Sequence, residues 1–83
     1  MATILFIRGW RLFFYSNERN EPPHIHVRKG GVDCKFWLHP ERFDISEEYS
    51  YNASPAEVRA IRQIIFDHFD YIVAEYKKVH GGK

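Results

Sequence analysis

The sequence has only one cysteine, no hydrophobic run long enough to cross a membrane and almost no net charge. Cys34 has no second thiol in the chain, so an internal disulfide is excluded, and its place in a strand-like run suits a small buried side chain. The apolar opening at Ile4 to Ile7 is far shorter than a membrane span, and no small-residue cleavage pattern follows it. We therefore expect a cytoplasmic protein without a membrane partner.

The sequence also lacks the residue patterns that two classes of enzyme require. No serine or cysteine has a catalytic partner at a suitable spacing. The Gly30-Gly31 pair is explained by a hairpin turn, so no glycine-rich loop remains to bind phosphate. Catalysis through a serine or cysteine nucleophile and phosphate binding by a P-loop are therefore set aside.

The net charge of +1 is unevenly distributed along the chain. Residues 1–40 contain six Lys and Arg against three Asp and Glu, whereas residues 41–83 contain six against eight. This mild excess of positive charge in the first half indicates an anionic partner, but it is smaller than the basic footprint of most nucleic-acid-binding domains.

The residues that are present are typical of one small globular domain. The 83 residues are 45% hydrophobic and 17% aromatic, which predicts a single modest core with many aromatic side chains. We predict a single domain over residues 1–83, with a sheet at 4–51 and a helix at 55–80.

The first half of the chain has a strand-forming composition. Residues 4–15 are rich in β-branched and aromatic types, and Gly9 interrupts them, which indicates a bulge or a junction of two short strands. Trp10 to Tyr15 is the better strand. Its alternation leaves open which set faces the core: Trp10, Leu12 and Phe14, or Arg11, Phe13 and Tyr15.

The pair Gly30-Gly31 separates two alternating runs and predicts a two-residue hairpin turn. With Lys29 opposite Val32, the two strands agree on which side chains share a face. The predicted core face holds Ile25, Val27, Cys34, Phe36 and Leu38. The opposite face holds His24, His26, Arg28, Asp33, Lys35, Trp37 and His39.

The second half predicts one polar strand and a helix. Phe43, Ile45 and Tyr49 share odd parity, which allows a fourth, edge strand within 43–51. The sequence Ser-Pro-Ala-Glu at 54–57 combines an N-cap serine, a first-turn proline and a capping-box glutamate, and apolar residues then recur at helical spacing. The predicted fold is therefore α+β, with an antiparallel sheet of three or four strands packed on one long C-terminal helix.

The length of this helix raises a further expectation. A helix of about 25 residues would be roughly 37 Å long, about twice the length of a typical strand, so a small sheet cannot cover it. Either the helix breaks near Asp67 to Asp70, or its outer surface meets a partner, most simply a second copy in a homodimer.

Several stretches resemble a known bacterial family. The most specific is Asn-x-Pro-Pro-His-x-His at 20–26, with Glu21 at the variable position, and the runs at 9–17 and 35–38 and the helical tail add to it. Together they resemble the domain-of-unknown-function family 4160. The sequence departs from the family at His39, where members often carry an acid before the proline. The resemblance implies a small bacterial cytoplasmic protein, often proposed as part of a two-gene toxin-antitoxin-like module, with no established activity.

The first functional hypothesis is that RNA or DNA binds the face opposite the core. Arg11, Arg28 and Lys35 would contact phosphates, and Trp37 would stack on unpaired bases. A ribonuclease-type toxin is the catalytic version of this hypothesis. His24 or His26 would then act as general base, because imidazole titrates near neutral pH, and a nearby cation would stabilise the phosphorane.

The second hypothesis is a site for a divalent transition metal such as zinc. His24 and His26 lie two residues apart on a strand and can ligate one ion, with His39, Asp33 or a loop residue as the third ligand.

The third hypothesis is a non-catalytic module that binds a partner protein and needs no cofactor. In this interpretation His24 and His26 donate hydrogen bonds to carbonyls of the loop at 16–21 and hold it beside Pro22 and Pro23. The sequence does not decide between binding and catalysis. We favour the binding module, because acid–base catalysis needs a second titratable group whose position the sequence does not supply.

Overall fold

The computed structural model describes residues 2–15 and 21–81. They form five strands and two helices: β1 (Ala2–Ile7), β2 (Trp10–Phe14), β3 (His24–Lys29), β4 (Val32–His39), β5 (Asp44–Tyr51), α1 (Pro55–Asp67) and α2 (Phe69–Tyr76). A short 3-10 turn at Pro40–Arg42 joins β4 to β5, and one π-helical turn at Lys77–Gly81 follows α2. The α+β class is confirmed, but the expectation of three or four strands and one helix is wrong. Most of the loop predicted at 16–21 lies outside the described residues.

The extra strand comes from the first apolar run. β1 and β2 form an antiparallel hairpin in which Ile7 pairs with Trp10. Arg8 and Gly9 form the turn, with φ of 52° and 83°. Positive φ at both central residues matches the twist of the flanking strands, so Gly9 marks a junction between two strands. All five strands then pair in chain order in one antiparallel sheet.

The β3–β4 hairpin has the register that the sequence predicts. Lys29 pairs with Val32, and His24 pairs with Trp37 at the other end. Gly30 has a φ of 56°, which glycine adopts without a steric cost. Both predicted faces of this hairpin are therefore confirmed.

A bulge changes the faces of β5. Lys35 pairs with Tyr49, but its neighbour Phe36 pairs with Glu47, so Glu48 is an extra residue on β5. Because one inserted residue reverses the alternation beyond it, Tyr49 lies on the face opposite Ile45. The expectation that Ile45 and Tyr49 share a face is therefore wrong.

The predicted helix start is confirmed, and the helix breaks within 67–70, which is one of the two outcomes expected from its length. The Ser54 hydroxyl accepts from the Glu57 backbone N–H, and the Glu57 carboxylate accepts from the Ser54 N–H, which is a complete capping box. The helix is interrupted at His68, whose φ is −122° and ψ is 25°. A straight helix would project beyond the strands, whereas the break keeps Phe69 and Ile72 in the core. The homodimer through this helix stays a prediction.

The core lies between the helices and one face of the sheet. From the strands it contains Trp10, Leu12, Phe14, Ile25, Val27, Val32, Cys34, Phe36, Leu38 and Ile45, and from the helices Ile61, Ile64, Ile65, Phe69, Ile72 and Tyr76. Of the two alternatives left open for β2, the side chains of Trp10, Leu12 and Phe14 are the ones that face the core. No helix in residues 2–15 and 21–81 is long and apolar enough to cross a membrane.

The other side of the sheet is called the outer face below. Cross-strand pairs assign to it Thr3, Phe6, Arg11, Phe13, His24, His26, Arg28, Asp33, Lys35, Trp37, His39, Asp44, Ser46, Tyr49 and Tyr51. The outer face contains all the residues that the functional hypotheses name as candidate site residues.

Candidate functional site

His24 is fully buried on the outer face, at the end of β3. Its Nδ1 lies 2.9 Å from the carbonyl oxygen of Pro22, and because a carbonyl only accepts, Nδ1 carries the proton. The rings of Trp37, Tyr76 and His80 lie about its imidazole at centroid distances of 5.8, 5.9 and 6.1 Å. The imidazole is therefore held between the sheet, the proline pair and the end of the helical region.

Two side chains from the C-terminal end reach this corner of the sheet. The hydroxyl of Tyr76 donates to the Glu21 carbonyl at 3.0 Å. Nε2 of His80 lies 2.9 Å from the Tyr15 carbonyl and is therefore the donor, while its Nδ1 is buried and has no hydrogen-bond partner within 2–15 and 21–81. These contacts come from more than 50 residues along the chain, and they explain why His24 is not open to solvent.

Glu21 and Lys35 form an ion pair beside His24. The Lys35 Nζ lies 2.7 Å from the Glu21 Oε1, which is itself 3.8 Å from the His24 Nδ1. The Lys35 side chain is only 10% exposed, and its ammonium also lies 4.5 Å from the centre of the Trp37 ring. A nearly buried ammonium needs such a partner, so Glu21 fixes the start of the proline segment on the sheet.

His26 is packed among rings in the middle of the outer face. It is 3% exposed, stacks on Phe13 at 5.3 Å and meets the edge of Tyr15 at 4.7 Å. Lys35 is its cross-strand partner. His24 and His26 are thus brought together, with ring centroids 5.2 Å apart, in a closed environment.

Arg11 and Arg28 cover Phe13 from the solvent side. Their guanidinium carbons lie 4.6 and 5.6 Å from the centre of its ring. Arg11 also donates to the Thr3 hydroxyl at 2.9 Å, and Arg28 donates to the Asp33 carboxylate at 3.1 Å. The hydrogen bond to Asp33 and its charge raise the pKa of Arg28. Arg28 therefore keeps its charge, and that charge is already paired.

His39 has its hydrogen-bond partner on the neighbouring strand β5. Its Nε2 lies 2.9 Å from the Ser46 hydroxyl, and its cross-strand partner is Asp44. Within 2–15 and 21–81, no group of three or more His, Cys, Asp or Glu residues is arranged to hold a metal ion. A metal site formed by His24, His26 and His39 stays a prediction without support from this geometry.

Exposed aromatic rings lie toward the two edges of the outer face. Phe6 on β1 is 68% exposed, and on β5 Tyr51 is 70% and Tyr49 39% exposed. Between them the surface consists mainly of paired polar groups, including the Trp37 indole, which donates to Glu48 at 2.7 Å. The part of the chain that the structure describes encloses no pocket.

A family model described as a domain of unknown function, DUF4160, matches residues 9–77. The chain belongs to this family. No curated protein and no solved structure matches it. The matched residues include β2 to β5 and both helices, so the paired charges and buried histidines lie within the DUF4160 region.

In this DUF4160 protein the His24 imidazole and two of the proposed cations already contact other groups of the protein. A general base must reach the proton that it removes, whereas the His24 side chain is fully enclosed and its Nδ1 is hydrogen-bonded to the protein. The cations proposed for phosphate contacts are present on one face, but Arg28 and Lys35 each hold a carboxylate. The charges of these two cations are therefore balanced locally.

Several residues of the site were not expected from the sequence. Phe6, Tyr49 and Tyr51 were missed because a separate β1 and the Glu48 bulge determine their face. Glu21 stood in the variable place of the motif. The sequence does not predict its ion pair with Lys35, because the two residues are 14 positions apart and Glu21 precedes the strand. Tyr76 falls within the apolar helical repeat, which gives no sign that its hydroxyl reaches the Glu21 carbonyl.

Proposed function

We propose that this DUF4160 protein is a non-catalytic binding module whose outer face recognises a partner protein. We further propose that the partner is the other component of a two-gene toxin-antitoxin-like module, as the family resemblance implies. The observation that carries the proposal is the combination of exposed aromatic rings with internally paired charges on an outer face that encloses no pocket.

One row of side chains displays this combination across all five strands. Cross-strand pairs connect Phe6, Arg11, Arg28, Asp33 and Tyr51 in that order. At about 4.8 Å between strands, the row is roughly 19 Å long, with an exposed ring at each end. Aromatic residues and arginine are the types enriched in protein interfaces and in their energetic hot spots.

The charges favour a protein over a nucleic acid as the partner. A polyanion would have to displace Asp33 from Arg28 and Glu21 from Lys35 before it gained full contact with either cation. Affinity for nucleic acid comes largely from unpaired Lys and Arg that replace counterions. A protein surface can instead bury the aromatic rings and leave the ion pairs in place.

The test is a titration of the purified protein with the product of the gene adjacent to its own. We expect saturable heat of binding and a stable complex in size-exclusion chromatography at physiological salt. Short oligo-U RNA and oligo-dT are titrated in parallel, and they should neither bind at that salt nor be cleaved. Oligonucleotide binding with a steep salt dependence, without binding of the protein, would replace this proposal by the nucleic-acid hypothesis.

A further inference from the structure

The two edges of the sheet are protected in different ways. At β1 the hydroxyl of Tyr71, from α2, donates to the Ile4 carbonyl at 2.8 Å, so a helix side chain occupies a backbone acceptor of that edge. β5 is the other edge, and among the described strands it pairs only with β4. Every edge strand offers unpaired backbone donors and acceptors to another chain unless something prevents it.

β5 is long and acidic. Its eight residues include Asp44, Glu47 and Glu48 but no lysine or arginine. Glu47 and Glu48 accept hydrogen bonds from the Ser50 hydroxyl and the Trp37 indole, which are neutral donors. Among residues 2–15 and 21–81, no ion pair joins a cation to any of the three carboxylates.

These charges determine which strands can pair with β5. A second β5 would place carboxylates near carboxylates, which is destabilising, so pairing between copies of this edge is disfavoured. A segment with lysine or arginine at alternate positions would gain both the backbone hydrogen bonds and opposite charges. The acidic edge thus excludes its own copy while it remains open to a basic strand.

We infer that β5 pairs with an extended basic segment of the partner protein, which adds a sixth strand to the sheet. This inference rests on the proposed function and specifies how that partner binds. A strand at β5 would lie about 4.8 Å away, so its outward side chains would stand beside Tyr49 and Tyr51. Both rings are exposed and can accept cation–π contacts from lysine or arginine.

The experiment uses three capped eight-residue peptides and the full-length ¹⁵N-labelled protein. The first alternates lysine and valine, the second alternates glutamate and valine, and the third is the lysine peptide with alternate backbone nitrogens methylated. The third peptide keeps the charge but cannot complete a strand ladder. At about 1 mM peptide, weak binding is detectable as amide shifts.

We expect the lysine peptide to shift amides within 44–51 and to slow hydrogen exchange there. The methylated peptide should bind at least about tenfold more weakly, because several hydrogen bonds are lost. The double variant Glu47→Lys/Glu48→Lys should also lose binding of the lysine peptide, while the control Asp70→Asn on α2 should retain it. Binding of the glutamate peptide should not be detectable.

Equal binding of the methylated peptide, or no shift within 44–51, would overturn the inference. This failure is distinguishable from a failure of the proposed function. If the adjacent-gene product binds the wild-type protein and the Glu47→Lys/Glu48→Lys variant equally well, the outer face binds a partner and the β5 edge does not.

Discussion

The ammonium of Lys35 lies 2.7 Å from the carboxylate of Glu21, and this ion pair joins the proline segment to the middle of the sheet. Lys35 is nearly buried, whereas Glu21 is 39% exposed. The pair therefore holds a loop in place and at the same time neutralises a cation that a polyanion would otherwise use. It links the stability of the outer face to the kind of partner that this face can bind.

Glu21→Gln should destabilise the protein by about 1–2 kcal/mol, because the Lys35 ammonium loses its charged partner. The estimate is kept low because solvent screens part of the pair. The measurement is the free energy of unfolding in urea. Glu75→Gln is the matched control: it breaks the exposed pair with Lys78 and should cost less than about 0.5 kcal/mol. Equal effects of the two variants would show that the Glu21 pair is not structural.

His24→Ala should lower the free energy of unfolding by about 2–4 kcal/mol, because it leaves a cavity and an unsatisfied Pro22 carbonyl. His39→Ala removes only an exposed hydrogen bond to Ser46 and should cost less than about 1 kcal/mol. Both values come from urea unfolding. A His24→Ala variant as stable as the wild type would contradict the structural role of this imidazole.

Stability should fall as the pH rises through the range in which the Cys34 thiol titrates. Burial raises the pKa of this thiol from 9.0 to about 11. Below about pH 9 the thiol is neutral in both states, and between pH 9 and 11 the unfolded chain loses the proton first, which favours unfolding. The loss should level off at about 2–3 kcal/mol above pH 11, where the thiol is ionised in both states.

Urea unfolding of the wild type and of Cys34→Ala across this pH range isolates the contribution of the thiol. The wild type should lose more stability than the variant, and the native thiol should react slowly with a disulfide reagent at neutral pH. Parallel pH profiles for the two proteins would refute the assignment.

Arg8→Gly should stabilise the β1–β2 hairpin. Arg8 has a φ of 52°, which costs a residue with a side chain about 1–2 kcal/mol. Glycine relieves this strain, but the greater entropy of glycine in the unfolded chain offsets part of the stabilisation. The carbonyl that accepts from Lys29 belongs to the backbone and is retained. We expect the melting temperature to rise by about 2–6 °C, whereas Arg59→Gly in α1 should lower it. A lower melting temperature for Arg8→Gly would contradict the turn geometry.

Much of the fold could be predicted because the signals were local. Gly30-Gly31 determined the register from His24 to Trp37, and the residues from Ser54 to Glu57 determined the helix start. Other features depend on contacts that are distant in sequence or on one inserted residue. Tyr76 and His80 enclose His24 from the far end of the chain, and the Glu48 bulge moves Tyr49 to the outer face.

The sequence therefore predicted which side chains share the outer face, but not the contacts that they make there. Alternation predicted that His24, His26, Arg28, Lys35 and Trp37 share a face, and they do. It could not show that Glu21 reaches Lys35, because Glu21 precedes the strand and side-chain alternation does not apply there. On this face Arg28 and Lys35 each pair with a carboxylate, and exposed rings lie at its edges.

The central claim is that the outer face binds the partner protein, and calorimetric titration of aromatic variants tests it most directly. Phe6→Ala and Tyr51→Ala remove exposed rings at opposite ends of the row, and Phe43→Ala removes a comparable ring that packs on the helices at Phe69. Each outer-face variant should bind the adjacent-gene product at least about tenfold more weakly, and Phe43→Ala should stay within about twofold of the wild type. Wild-type affinity in both outer-face variants, or a loss confined to Phe43→Ala, would contradict the account.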